Sequence, residues 1–401
     1  MGKRTTTAST ETHVGEPRIT IVVLSYERQD FLRRQLLYYA NRHVHLIFAD
    51  GSANAWPHEH FGSNDQMSWE YLHCPGYDTY RERLALACER LTTEYVCLLD
   101  DQECILWTGL VSAISTLDEN PDHSCAGGLA AITFEAKKQL MLAPWGHRGV
   151  RWSLTDPSPL ARFRTIVGPE QFSANLYYQV VRSTDMKLFA EGMRGFSGVS
   201  SATNELALAG FLSLKGIWAM GDYPYWLRSG STVPPPSGVM VVMPSEEIRL
   251  LCSRLIELTD STNETAGNST LEAGSLALEL EAGWGETSQW AQDSVAYLEG
   301  IRGVHKRSDV TRRLRASIAI MLREHAPTVY RFLRPGSPLD MRLARSFLDY
   351  GSENSECSYE VIEDLLTISA IWHKFPNGIP ADYWGKVAGT KTEDADPKKL
   401  A

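Results

Sequence analysis

The sequence predicts an α/β protein: a parallel, doubly wound sheet over residues 18–240, followed by a helical C-terminal region over 241–385. Three observations predict it. Short apolar runs rich in β-branched residues alternate with stretches of helical periodicity. The first three runs each stop at a turn of acidic or hydroxyl residues, as buried parallel strands do where they surface at one edge of a sheet. After Pro234-Pro235-Pro236 the strand-like runs end and helical spacing dominates.

The elements follow in chain order. Residues 1–17 carry no apolar pattern and read as a disordered, solvated tail. Residues 19–24 form a buried strand that ends in Ser25-Tyr26, and Asp30 is placed to cap a helix over 31–40. Residues 44–48 read as a second strand, stopped at Ala49-Asp50-Gly51-Ser52. A helix over 80–91 leads to a third strand at 95–99, which ends in Asp100-Asp101-Gln102-Glu103. A helix over 108–117 and a strand near 125–134 extend the sheet. Residues 141–175, with their Trp, Arg and Pro, read as an irregular lid or acceptor loop. Residues 176–182 read as a strand, with Thr184 placed to cap the helix after it. A helix at 201–214 precedes a last strand at 217–227 that turns at Pro224. Helical periodicity then marks 245–258, 287–300, 308–324, 340–349 and 358–373, ahead of a disordered polar tail at 386–401.

Composition limits the function. The 401 residues include 39 Lys+Arg against 49 Asp+Glu, a net charge of −10, which argues against a general nucleic-acid binder. No apolar signal segment opens the chain. The most apolar window, 206–220, is broken by Lys215, so no transmembrane segment is expected. Seven cysteines without a CxxC pair fit neither a disulfide framework nor a zinc site, and suggest a cytoplasmic location. A basic stretch at 302–315 would suit an anionic acceptor or peripheral contact with an anionic membrane, and the C-terminal helices an acceptor site or oligomer assembly.

The chemistry-bearing residues collect at strand ends. Asp101 and Glu103 would share one side of an extended chain and could both reach one divalent cation, Mg²⁺ or Mn²⁺. A solvated turn is the plainer reading. Ser25, Tyr26 and Glu27 offer hydroxyls and an aromatic face for a base or ribose. Asp50 could accept a hydrogen bond from either, or merely close an Asx turn. His58 and His60 form a pair without a further ligand nearby and read as surface residues. No GxSxG, HExxH, Walker or Rossmann glycine motif is present.

Residues 18–105 resemble the nucleotide-binding half of a family-2 GT-A glycosyltransferase. The resemblance rests on the strand with Ser25-Tyr26-Glu27-Arg28, on Phe31-Leu32-Arg33-Arg34-Gln35-Leu36, on Asp50-Gly51-Ser52, on Arg83 and on the strand leading to Asp100-Asp101. A weaker likeness continues through residues 177–182 to Asn204-Glu205 and Tyr225-Trp226-Leu227-Arg228. Ala49 stands where the family usually has the first acid of a pair, and Asp100-Asp101-Gln102-Glu103 replaces its Asp-x-Asp. The resemblance implies a Rossmann-like mixed GT-A sheet and a nucleoside-diphosphate sugar donor, first a UDP-sugar. It also implies a carbohydrate-type acceptor and a divalent metal.

On that reading Ser25, Tyr26, Glu27, Asp50, Arg83 and Asp100 hold the donor, and Asp101 with Glu103 the metal. Glu205, at the start of an apolar helix, is the expected base, with Asp222 its rival as base or third ligand. Direct displacement would invert the anomeric centre. Two alternatives stand beside this one. A sugar-nucleotide nucleotidyltransferase would need a glycine-rich loop after the first strand, which residues 25–30 lack. A degenerate GT-A module would serve as a binding or scaffold subunit.

Overall fold

A computed structural model describes residues 16–56, 67–76, 80–136, 139–144, 153–167, 174–196, 201–229, 245–260 and 355–375, with isolated positions between 274 and 280. The expected tails and the helices at 287–300, 308–324 and 340–349 lie outside the described residues, as do His58, His60 and the basic stretch.

Four parallel strands form half of the sheet: β1 (Ile19–Ser25), β2 (Val44–Asp50), β3 (Met67–His73) and β4 (Tyr95–Asp100), in the order β3-β2-β1-β4. All seven residues of β1 are buried, because it is covered on both faces. Each fully buried aliphatic side chain there, such as Ile21 or Val23, contributes roughly 1.5–3 kcal/mol through its removal from water.

The other half is mixed. β9 (Val180–Arg182) runs antiparallel to both β4 and β6 (Cys125–Ala136). β6 pairs in parallel with β10 (Trp218–Ser229) and antiparallel with β7 (Gln139–Pro144). Two-residue strands β5 (Cys104–Ile105) and β8 (Ser153–Leu154) flank β10. The expected parallel sheet is therefore unbroken in its direction only through β4. Its strand order and the reversed β9 make the doubly wound, mixed GT-A arrangement that the resemblance implied. Register shifts on both sides of Pro224 accommodate a residue that cannot donate to a ladder.

Helix α1 (Gln29–Tyr39) follows β1, with Arg28 at its start and no side-chain cap. Asp30 lies inside the first turn and pairs with Arg33 rather than capping. The other helices are α2 (Tyr80–Glu89), α3 (Trp107–Glu119), α4 (Pro159–Val167), α5 (Ser183–Met193), α6 (Ser201–Lys215), α7 (Ser245–Asp260) and α8 (Ser355–Lys374). α5 begins directly after Arg182, without a cap from Thr184. The stretch expected to be irregular, 141–175, contains part of β7, β8 and α4. Residues 176–178, expected as the start of a strand, belong to a 3₁₀ turn over 174–178.

α1, α3 and α8 pack together, and α2, α5, α6 and α7 form a second group joined by α4. One apolar core runs from Ile21 and Leu32 through Leu110 and Leu206 to Leu255 on α7 and Trp372 on α8. α7 and α8, both beyond residue 240, thus share the core of the sheet. No described helix is long and apolar enough to cross a membrane.

Candidate active site

β1 lies between β2 and β4, and the chain leaves it toward both sides. That is the switch point at which open α/β sheets form a crevice beyond the carboxyl ends of their strands. Register puts the expected residues there: Ser25 pairs with Asp50, and Leu24 with Asp100.

The turn after β1 is held in an uncommon conformation. Glu27 has φ 54°, a left-handed geometry that non-glycine residues adopt at a cost of order 1–3 kcal/mol. Two bonds offset it: the Glu27 N–H donates to Ser52 Oγ (2.7 Å), and the Ala53 N–H donates to Glu27 Oε1 (3.1 Å). The result is to leave Tyr26, 61% exposed, standing at the rim. Ser25 is buried and donates to Asp101 Oδ2 (3.1 Å).

Asp50 is wholly buried. Its Oδ1 accepts from the N–H (3.0 Å) and hydroxyl (2.5 Å) of Ser52, its Oδ2 from Gln29 Nε2 and Tyr71 Oη, each at 2.7 Å. These four bonds fix the β1–β2 edge. Arg83 lies beneath it, its Nη1 donating to Ser25 O (2.8 Å) and its guanidinium 5.9 Å from the Tyr26 ring centroid. Burial lowers the Arg83 pKa, and the charge of Asp50 opposes that shift.

A Cβ on Gly51 would overlap Arg83 Nη1 and lie 2.9 Å from its Cζ, so glycine is what lets this arginine pass. Gly51→Ala is expected to destabilise the fold by roughly 1–3 kcal/mol, the usual cost of overpacking. Urea unfolding reads this as a lowered midpoint; an unchanged midpoint would mean that Arg83 relocates freely.

Residues 100–103 form a turn, closed by the Glu103 N–H on Asp100 O (3.1 Å), and not the extended chain expected for them. The alternation that would put Asp101 and Glu103 on one side therefore does not apply. Asp101 is buried behind Ser25, with Arg28 Nη1 at 3.7 Å from its Oδ1. Glu103 is buried too: Trp226 Nε1 donates to its Oε2 (2.7 Å), and Arg228 Nε stands 3.7 Å from its Oε1. Asp100 keeps an exposed surface although protein crowds it, as on the floor of a cleft, and Tyr178 Oη donates to its Oδ2 (2.9 Å).

Glu205 joins this cluster from α6. It lies in the second turn of that helix, not at its start, so the helix dipole does little for it. Burial and the like charge of Asp100 push its pKa up to about 7, against the opposing pull of Arg228. Asp101 is likewise pushed up to about 7, by burial and then by Asp100, with Arg28 and the Ser25 hydroxyl opposing. Burial and Asp100 also raise Glu103, while burial raises Asp100 itself against Tyr178 and Arg228. Four acids from β4, the turn after it and α6 thus compete for charge at one place. Asp222 lies on β10, and its side chain is outside the described residues.

The sequence pointed to no role for Tyr71, which binds Asp50, or for Arg228, Arg34 and Gln35, which bind or face the acidic turn. The available signal was two arginines and a glutamine at the centre of an apolar-spaced helix, where exposed charges would be expected.

No protein-family model matches the sequence, and no curated protein matches it. Among solved structures the chain is similar to S. aureus TarS, at 12% identity and a TM-score of 0.38. That match covers 67% of this chain and 44% of TarS, so the chain spans less than half of that protein. It is also similar to TarS residues 1–349 in complex with UDP-GlcNAc, at 11% identity and a TM-score of 0.39, covering 89% of this chain and 92% of that one.

Proposed function

We propose that the chain is a glycosyltransferase that moves a sugar from a nucleoside diphosphate to the hydroxyl of a carbohydrate-type acceptor. One observation carries the reading. An open carboxylate (Asp100), a partly buried acid that feels its charge (Glu205) and an exposed aromatic ring (Tyr26) gather from three separate elements at the switch point of the sheet.

Tyr26 offers a face for the nucleobase, and Glu27 and Asp50 hold the turn that presents it. Arg83 and Arg28 bring positive charge to the same edge, where the diphosphate would lie. Glu205, when deprotonated, takes the proton from the acceptor hydroxyl as that oxygen attacks the anomeric carbon. The bond from that carbon to the diphosphate oxygen breaks, and the diphosphate leaves with the electron pair. One displacement with one base inverts the anomeric centre. Asp222 remains the rival for the base.

The acidic turn suits a divalent cation chemically, since Asp100, Asp101 and Glu103 bring carboxylate oxygens to one place. Among the described residues no three His, Cys, Asp or Glu side chains stand at ligand spacing. Sites of the Mg²⁺ type need only one or two carboxylates with substrate phosphates. Asp100 presents the open carboxylate, and Asp101 and Glu103 stand behind it. A bound Mg²⁺ or Mn²⁺ would stabilise charge on the leaving diphosphate.

Hydrolysis of UDP-, GDP- and CMP-sugars by the purified chain tests the reading, with UDP-sugars first. Release of UDP or GDP from its sugar donor supports it, and turnover of CMP-sugars alone would contradict the diphosphate leaving group. No turnover on any donor favours the binding or scaffold reading.

A further inference from the structure

The acidic turn is held from behind by α1, against which α8 packs. Gln35 Nε2 on α1 donates to the backbone oxygens of Asp101 (3.2 Å) and Glu103 (2.5 Å). Its neighbour Arg34, 3% exposed, spans two parts of the chain. Nη2 donates to Gln102 O and Nη1 to Phe375 O, each at 3.3 Å. Its guanidinium lies 4.5 Å from the Phe31 ring centroid and 4.8 Å from that of Trp372 on α8.

A second link lies further along the same segment. Asp364 on α8 is 1% exposed. Its Oδ2 accepts the Thr108 N–H at the head of α3 (2.9 Å), and its Oδ1 pairs with Arg42 Nη2 (2.6 Å). α8 therefore meets the segment 102–108 directly at Thr108, and reaches Gln102 only through Arg34 of α1.

Docking α8 on the core needs only apolar contacts, and Val361, Leu365, Ile368 and Trp372 supply them. Burying an arginine and an aspartate costs several kcal/mol per ion before pairing, so the links add little to the docking itself. What they add is direction. Both charged groups aim at the backbone of one loop, which also carries the acids of the site. Arg34 further acts on Asp101 electrostatically, helping to keep it ionised.

We propose that α8 sets the position of the acidic segment 100–108, and with it the affinity of the site for nucleoside diphosphate, with Arg34 and Asp364 as the positioning residues. The affinity half of this statement rests on the glycosyltransferase reading.

The experiment uses the full chain and two variants that keep the size of the side chain. Arg34→Lys keeps the charge but cannot span two carbonyls. Asp364→Asn keeps an acceptor for the Thr108 N–H and loses the charge that pairs with Arg42. Amide hydrogen exchange is followed over 100–108 and over β1 and β2, together with UDP binding in Mn²⁺. Exchange should quicken in 100–108 and stay unchanged in β1 and β2, while UDP binds roughly 2–30-fold more weakly, the range of coupling through packed elements. Leu366→Ser, at a 57% exposed position of α8, should change neither.

Unchanged exchange at 100–108 in Arg34→Lys would overturn the proposal. A uniform rise across β1 and β2 would also overturn it, by showing general loss of stability. If the unaltered chain binds no nucleoside diphosphate, the donor reading falls, and the exchange comparison still decides whether α8 positions the loop.

Discussion

Glu205→Gln is expected to lower sugar transfer by about 10²–10⁴-fold, the range a positioned general base supplies, while donor binding stays unchanged. The amide it introduces has nearly the same shape as the carboxylate but no lone pair basic enough to take the hydroxyl proton. In the parent chain, transfer should rise tenfold per pH unit below pH 7 and level off above it, because Glu205 acts only when deprotonated and its pKa is pushed up to about 7.

The same shift has a consequence for stability. A carboxyl whose folded pKa exceeds its unfolded value binds more protons in the folded state, so stability falls as pH rises between the two values. For Glu205 that window runs from about 4.5 to about 7. Glu205→Gln should therefore melt higher than the parent at pH 8, with the difference narrowing toward pH 5. Full transfer activity in the variant, with normal donor binding, would reassign the base, and Asp222 would be next.

Asp100→Asn is the second large effect. The amide oxygen can still accept the Tyr178 hydroxyl proton, so the fold should hold. What is lost is the open negative charge. Hydrogen bonds to charged groups are worth roughly 1.5–3 kcal/mol, so cation-dependent UDP binding should weaken by about 10–100-fold. Asp100 also raises the pKa of Glu205 and Asp101 by like charge. Its removal should move the acid limb of the pH–rate profile to lower pH. An unmoved limb with weakened binding would separate Asp100 from Glu205 electrostatically.

Much of this site was legible in the sequence because buried parallel strands write themselves as unbroken apolar runs. Where 19–24 and 95–99 stop, the chain must surface, and Ser25 and Asp100 stand there. β3 was missed for the converse reason. Met67–His73 lies at the sheet edge, where Trp69, Glu70 and Tyr71 are half-buried and no apolar run forms. The residues 176–182 misled because aromatic and β-branched side chains suit a strand, while Tyr177 and Tyr178 are buried in a 3₁₀ turn and only Val180–Arg182 pair.

The geometry of the acidic turn was misjudged from spacing. Alternation along an extended chain assigned Asp101 and Glu103 a common side, whereas a hydrogen-bonded turn folds them back and leaves Asp100 open. Arg34 could not be placed from spacing at all, since its partners Gln102 and Phe375 lie far apart in sequence.

The central claim is that the carboxyl edge of β1, β2 and β4 holds a nucleoside diphosphate. Calorimetric titration of UDP into the full chain, with Mn²⁺ and then with a chelator, tests it most directly. Binding is expected to depend on the cation and to weaken in Asp100→Asn. Absence of binding for UDP, GDP and CDP alike at millimolar concentration, with Mn²⁺ present, would contradict it.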